Sequence, residues 1–585
     1  MTNRAEPIFE IAPREAINPP MRRHSPAHWR AVVVLLPALT LTGAVLVVPL
    51  VVTVVESFAA GGGALHNYEA LARDPSVRHA IVNSLRWLVF APVVCLAGLA
   101  LSWPGRRRRT GRVVIAVLAA PVAVSALVTG AAFRLLFAPQ SGTATAVFGG
   151  VTFLGPGWIW VVLGLAFTWQ WLGLAVVVFR ARVAEMPWDL LRVARAFGAG
   201  RFRQARAVAL PALLPVGALM LIIVLVAAAR VFELVLAAAP GAIQDQVDVV
   251  GVHLWRFGPL LGTGESAALA VVLFLFVAIV ALAGLWGLRR EWPVGRPALL
   301  SEELPAGRPA LVSEEQPVGR PWGLWAFGGL AVVVWAVPLV VLLLTSLHSP
   351  RAAAAAGWWS GGWGWGSYQA AFADGMLLST LGSTAVRALV AAALLVVLAA
   401  PAAYALTWGG LSRPAVRALV AAATVLAVLP PQVIATPLGT VLDNLQLLGA
   451  ATPLILVHVA FGVPLAILLL RGAFASVSRD LVSARQLDPV RGSALFAVIT
   501  RCWPALLTVA VFEIVLVWND LVIGLLFGGT EAGSVTLVMF EQVRQFATSA
   551  GPLAADAVVI TLPPLILVLA TGRWLLRGLA EGVQR

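Results

Sequence analysis

No lysine occurs in the 585 residues; all 41 basic positions are arginine. A phosphate-binding loop of the G-x-x-x-x-G-K-[ST] type sets its lysine on the β- and γ-phosphates, so the chain is not an ATPase of that class. Schiff-base and pyridoxal-phosphate catalysis are excluded with the same residue. Cysteine is almost as scarce: Cys95 and Cys502 alone exclude a disulfide scaffold and a multi-cysteine zinc site. Charge is thin as well. Only 12% of residues are charged, about half the share of a soluble domain.

Apolar residues fill the place of the missing charge, at 60% of the chain. That excludes an ordinary soluble enzyme and a disordered chain, and makes lipid the solvent for most side chains. A spanning helix needs about 20 mostly apolar residues. Twelve stretches qualify: 31–55, 79–103, 112–137, 157–180, 207–230 and 266–289, then 323–347, 383–408, 414–437, 450–474, 503–527 and 553–577. The first is too long for a cleaved signal peptide and follows a polar, arginine-containing tail.

The net charge of +14 could suggest nucleic acid, but the arginines sit in short loops between apolar runs. They lie in the N-terminal tail, in WPGRRRRTGR (103–112), between Arg180 and Arg206, after the sixth, eighth and tenth stretches, and in the C-terminal tail; together these hold 32 of the 41. All of these segments fall on one side of a twelve-span chain, so both termini are expected to be cytoplasmic. Segment 290–322 interrupts the apolar pattern with a twelve-residue repeat, PVGRPALLSEE from Pro293, PAGRPALVSEE from Pro305 and PVGRP from Pro317. Pro, Gly, Ser and Glu cannot bury enough apolar surface to pack. A disordered linker of this length spans roughly 30 Å. The expected fold is therefore all-α and polytopic, two six-helix bundles in parallel orientation. The expected boundaries are 1–30 (tail), 31–289, 290–322 (linker), 323–577 and 578–585 (tail).

Each half carries a long, polar, amphipathic loop between its fourth and fifth spans. The first reads RARVAEMPWDLLRVARAFGAGRFRQARAVALPALLP (180–215). It resembles the coupling loop of ABC importer permeases, whose pattern is E-A-A, three residues, Gly, nine residues, then I-x-L-P. Gly198, Val208, Leu210 and Pro211 keep that spacing, and Ala194 matches the second Ala. Arg192 and Val193 depart from Glu and Ala. A short helix over 188–197 would put Leu190, Leu191, Ala194 and Phe197 on one face, ended by Gly198 at φ > 0. In the second half, FASVSRDLVSARQLDPVRGSALFAVITRCWPALLTV (474–509) keeps Ala484 and Asp488 but has Pro489 in place of the Gly. The resemblance implies docking of two ATPase subunits at 181–209 and 476–502. The candidate contacts are Glu185, Asp189, Arg192, Ala194, Gly198, Leu210 and Pro211 in the first loop, and Asp480, Ala484 and Asp488 in the second.

The surroundings resemble maltose-type sugar importers. Ala403–Leu406 (AYAL), the stretch 429–474 and Trp518-Asn519-Asp520 are similar to one permease subunit; 65–87 and 232–258 are similar to its partner. The resemblance covers roughly 31–289 and 323–577. It implies both permease subunits of a carbohydrate importer in one chain, served by an extracytoplasmic sugar-binding protein in the bacterial plasma membrane. The chain itself would bind no cofactor, and ATP and Mg would sit on the ATPases. Another family with six plus six helices, the major-facilitator secondary transporters, is the alternative; segment 103–112 lies where that family has a Gly/Asp/Arg-rich loop, but lacks the acidic residue.

Charged and polar groups in hydrocarbon face a cavity or a partner helix. Glu513, Trp518, Asn519 and Asp520 either border the translocation path or seam, or hydrogen-bond between helices. Trp169, Gln170 and Trp171 either offer rings and an amide to a sugar or belong to an interfacial aromatic belt. Arg230 and Glu233 are expected to pair. His66, His253 and His458 are scattered and suggest no metal site.

Overall fold

The computed structural model describes residues 27–59, 63, 65–102, 117–118, 120–149, 151–184, 186, 193–194, 196–198, 200–204, 206, 209–289, 322–359, 362–373, 375–487, 493–528 and 533–583. Among them there is no strand, only helices joined by short turns. Lipid offers the backbone no hydrogen bonds, so each spanning segment must satisfy its own amides as a helix.

The first half runs through α1 (Trp29–Ser57), α2 (Pro75–Ser102), α3 (Ala126–Leu136), α4 (Ile159–Ala184), α5 (Leu210–Ala229), α6 (Glu233–Ala238) and α7 (Thr263–Arg289). The second runs through α8 (Trp322–Ser346), α9 (Met376–Trp408), α10 (Arg413–Leu426), α11 (Ala435–Asn444), α12 (Ala451–Ala475), α13 (Arg479–Leu487), α14 (Ala494–Arg501), α15 (Trp503–Asn519), α16 (Val522–Phe527), α17 (Val535–Arg544) and α18 (Phe546–Val583). Among the described residues, eight helices are long and apolar enough to cross a membrane: α1, α2, α4, α5, α7, α9, α12 and the Ala550–Gly572 part of α18. Counting the two bent pairs as single spans makes ten.

The expected stretches differ from these in three places. Segment 414–437 breaks where Pro430 and Pro431 follow α10, and the chain turns by 97° into Pro431–Asn444. Segment 503–527 is not one helix: α15 ends at Asn519, Asp520 takes an extended conformation, and α16 restarts at Val522. α15 is also bent by 72° from the preceding α14. Among the described residues of 112–137, the chain turns at Ala120–Ala123 before α3 starts afresh, capped by the Ser125 hydroxyl, which accepts from Val128 N–H. Proline without an N–H and hydroxyl capping explain the first and third breaks.

The halves repeat one local device. The Tyr68 hydroxyl donates to Ser57 Oγ at 2.8 Å, and Tyr368 and Ser346 make the same pair at 2.9 Å. The residue before each tyrosine reaches back to the C-terminal end of the first helix of its half or just beyond it. Asn67 donates to the Ser57 carbonyl and Ser367 to that of His348. Gly264 at the start of α7 and Gly551 in α18 press on Asn67 and Ser367, leaving no room for a Cβ.

The cores cross between the halves. A π-turn at Gly43–Val47 divides α1. Its first part packs on α9 and α12 of the second half, where Ala31, Leu35 and Ala38 join the second half's core. Its last part packs on α7 of the first half. Reciprocally, α8 packs on α3 as well as on α18, placing Val341 and Leu342 in a core that both halves share, with Leu127 and Val235 from the first and Met539 and Leu553 from the second.

Candidate translocation seam and coupling elbows

The site is built where the halves meet, around the break between α15 and α16. The extended Asp520 leaves the amides that open α16 unpaired within the helix. Its own carboxylate accepts from Ile523 and Gly524 N–H at 3.2 and 3.1 Å. Across the seam, Glu233 at the start of α6 accepts from Leu521 N–H at 3.3 Å. Asp520 lies within Coulombic reach of Arg230 and Arg387, and 3.9 Å from His458 Nε2. Two guanidiniums and two carboxyl groups thus lie around one partly buried centre, an arrangement that lowers the cost of withdrawing them from water. The expected Arg230–Glu233 pair is redirected: both residues address the second half. The Arg387 guanidinium, 5% exposed on α9, donates to the Gly533 carbonyl at 2.8 Å. Arg387 and Asp556, both buried within spans, are functional candidates that sequence reasoning missed. Charged residues inside apolar runs were the available signal.

Two amides from opposite halves converge on one turn. Gln170 Nε2 donates to the Val124 carbonyl at 3.3 Å and Asn519 Nδ2 to that of Ala123 at 3.1 Å. The indoles serve packing: Trp169 Nε1 donates to Trp335 O at 2.8 Å and Trp518 Nε1 to Ile560 O at 2.9 Å, both rings buried. Trp171 packs beside Phe167. Glu513, 3% exposed, lies against Gly462 of α12, where a Cβ would come within 2.5 Å of its Oε2. Glu513 is thus a helix-contact group away from the Asp520 centre.

A cavity of about 460 Å³ opens on the same seam. Thr53 and Glu56 of α1, Ser266 of α7 and Gln432 of the turn between α10 and α11 supply its polar lining. The Thr53 hydroxyl donates to Val433 O at 3.0 Å, tying the halves at its wall. Gln432 is 7% exposed and its Oε1 accepts no hydrogen bond from the described residues. A buried unsatisfied acceptor favours a ligand that brings a donor. None of the polar residues expected from the sequence lines this cavity.

The elbows lie at the opposite end. Of the first, Glu185, Asp189 and Arg192 lie outside the described residues. Gly198 adopts φ +76°, the left-handed turn its position required. Ala194 is buried whereas Phe197, three residues on, is 74% exposed; Leu190 and Leu191 lie outside the described residues. Phe202 is 80% exposed. The base is pinned by Val183, Met186, Ala209 and Leu213, and by Arg182 Nε on the Ala212 carbonyl at 2.9 Å. Leu210 and Pro211 begin α5, Leu210 half exposed. In the second elbow α13 packs on α14, with Asp480 and Ala484 exposed and Val482 buried; Asp488 lies outside the described residues. Phe496 is 64% exposed on α14, which Ser493 caps.

No family model matches the chain. It is 31% identical over 221 residues to a trehalose transport system permease of Mycobacterium tuberculosis, covering 37% of this chain and 80% of that protein. It is 28% identical over 261 residues to an osmoprotective compounds uptake permease of Synechocystis, covering 43% and 87%. Among solved structures, a bacterial ABC transporter that imports alginate aligns with a TM-score of 0.40 at 19% identity, over 45% of this chain and 96% of that one.

Proposed function

We propose that this chain, which belongs to the permease family of ATP-binding-cassette sugar importers, forms both membrane subunits of one importer in a single polypeptide. The observation that carries the reading is the pair of coverages. Relatives are matched over 80% and 87% of their own length by only 37% and 43% of this chain, which leaves length for a second permease. The repeated Ser–Tyr clamp supports two copies of one plan. The chain is a multi-pass transport component and not itself an enzyme.

In this reading the elbows at 181–209 and 476–502 each dock on a cytoplasmic ATPase, which holds the ATP and Mg. Both termini are on that side. An extracytoplasmic binding protein delivers the sugar at the opposite end. The seam cavity receives it, since Gln432 Oε1 and the Glu56 carboxylate accept from hydroxyl donors. ATPase closure moves the two elbows and switches the cavity from inward- to outward-facing. The secondary-transporter alternative gains no support from the relatives.

Reconstitution with the candidate ATPase and binding protein tests this. Binding protein loaded with a glucose-containing disaccharide is expected to stimulate ATP hydrolysis and labelled uptake. Gln432→Ala is expected to raise the sugar concentration for half-maximal uptake while basal hydrolysis stays constant. Uptake driven by a proton gradient without any ATPase would overturn the proposal.

A further inference from the structure

Three arginines line one cavity at the elbow end of the second half. Arg413 and Arg417 lie in the first two turns of α10, and Arg471 lies one turn before the end of α12. With Thr407 and Gly410 they enclose about 300 Å³, and no carboxylate is among the lining residues. Arg471 Nε is closed off from water and has no hydrogen-bond partner among the described residues. A buried guanidinium N–H without an acceptor is costly, more so beside two like charges.

The end of α10 adds to the same demand. Ser412 has N-cap backbone geometry but makes no side-chain cap bond, so that acceptor is missing from the first turn. The positive end of the helix dipole points at Arg413, the first helical residue. Three guanidiniums and an uncapped helix start together favour an anion with several oxygens, and phosphate matches the guanidinium fork in a bidentate way. Trp408, whose Nε1 donates to the Phe474 carbonyl at 3.2 Å, places the cavity at the level where spans end, because indoles favour the boundary between hydrocarbon and head groups.

We propose that this cavity binds one phosphate group, from either the head group of an anionic phospholipid or free phosphate, through Arg413, Arg417 and Arg471. A basic pocket between spanning helices on this side of a bundle is suited to such a head group.

The test uses the full chain, stripped of lipid in neutral detergent. Phosphatidylglycerol, phosphatidylcholine and inorganic phosphate are titrated separately, and thermal unfolding and native mass spectrometry are read. Arg413→Gln/Arg417→Gln is the main variant, since both side chains are exposed and do not hold the fold. Phosphatidylglycerol is expected to raise the melting temperature of the unmodified chain. The double variant is expected to need at least roughly tenfold more, each arginine near a membrane surface contributing about a factor of five. Arg417→Lys, which keeps the charge, is expected to retain most of the response. A response to phosphatidylglycerol but not to phosphate identifies the head group as the source; a response to phosphate alone identifies the free anion. Equal titrations of the unmodified chain and the double variant in both arms would overturn the proposal.

Discussion

At the scale of single residues, glycine decides more than charge. Gly198 turns the first elbow at φ +76°, and a Cβ there would meet nothing within 4 Å among the described residues. The whole cost of a substitution is therefore backbone strain, about 1–2 kcal/mol for a left-handed non-glycine residue. Gly198→Val is expected to leave the chain inserted and stable, yet to uncouple sugar-stimulated ATP hydrolysis from uptake in proteoliposomes. Unchanged coupling would remove this turn from the transmission path. Gly264 and Gly551 differ in kind, because their constraint is space. Each faces the side chain that clamps its half's first helix, and that side chain is already hydrogen-bonded. Gly264→Ala and Gly551→Ala should each destabilise by about 1–3 kcal/mol, the usual cost of overpacking. Thermal unfolding in detergent would read this as two similar decreases. A loss at one site alone would show that the two clamps are not equivalent.

At the scale of elements, the two elbows share a design but not a sequence. Each stands on a buried base, Val183 and Met186 in one and Val477 and Val482 in the other, and raises aromatic rings into the open. Exposed Phe197, Phe202 and Phe496 are hard to justify on a surface that stays bare, and aromatic anchors concentrate binding energy at interfaces. Phe197→Ala/Phe202→Ala should weaken ATPase binding by at least about tenfold, since such anchors carry around 2 kcal/mol or more each. Phe496→Ala is the matching change on the second elbow. Pull-down of the ATPase by the purified chain measures both. Undiminished binding by all three substitutions together would displace the docking site from the elbows.

On the scale of the whole molecule, the halves are interlocked. The first part of α1 belongs to the core of the second half, and α8 packs on α3 of the first. Apolar contact of this extent, with Thr53 bonded to Val433 and Glu233 to Leu521 across the seam, is expected to hold the halves together even when the chain between them is cut. Cutting the chain within 295–320 and expressing both pieces together should therefore give a complex that co-purifies and transports. Two pieces that accumulate normally but fail to associate would show that 290–322 makes a specific contact.

Composition and periodicity alone pointed to the all-α membrane class, since uninterrupted apolar runs of about 20 residues fit spanning helices and are twice the length a barrel strand needs. The left-handed turn at Gly198 was also legible, because only glycine takes that conformation cheaply. What sequence could not supply was everything that depends on a neighbour far along the chain. Asp520 reads as one polar residue near a helix end, and only tertiary packing brings Arg230, Glu233, Arg387 and His458 around it. Trp169 and Trp518 read from the sequence either as path-lining or as structural residues, and only the fold supplies the carbonyls of Trp335 and Ile560 to which their indoles donate. Gln432 gave no signal in its own segment. Its unsatisfied carbonyl oxygen acquires meaning only where the turn after α10 meets α1 and α7, because a cavity belongs to the surfaces around it and not to any one stretch of residues.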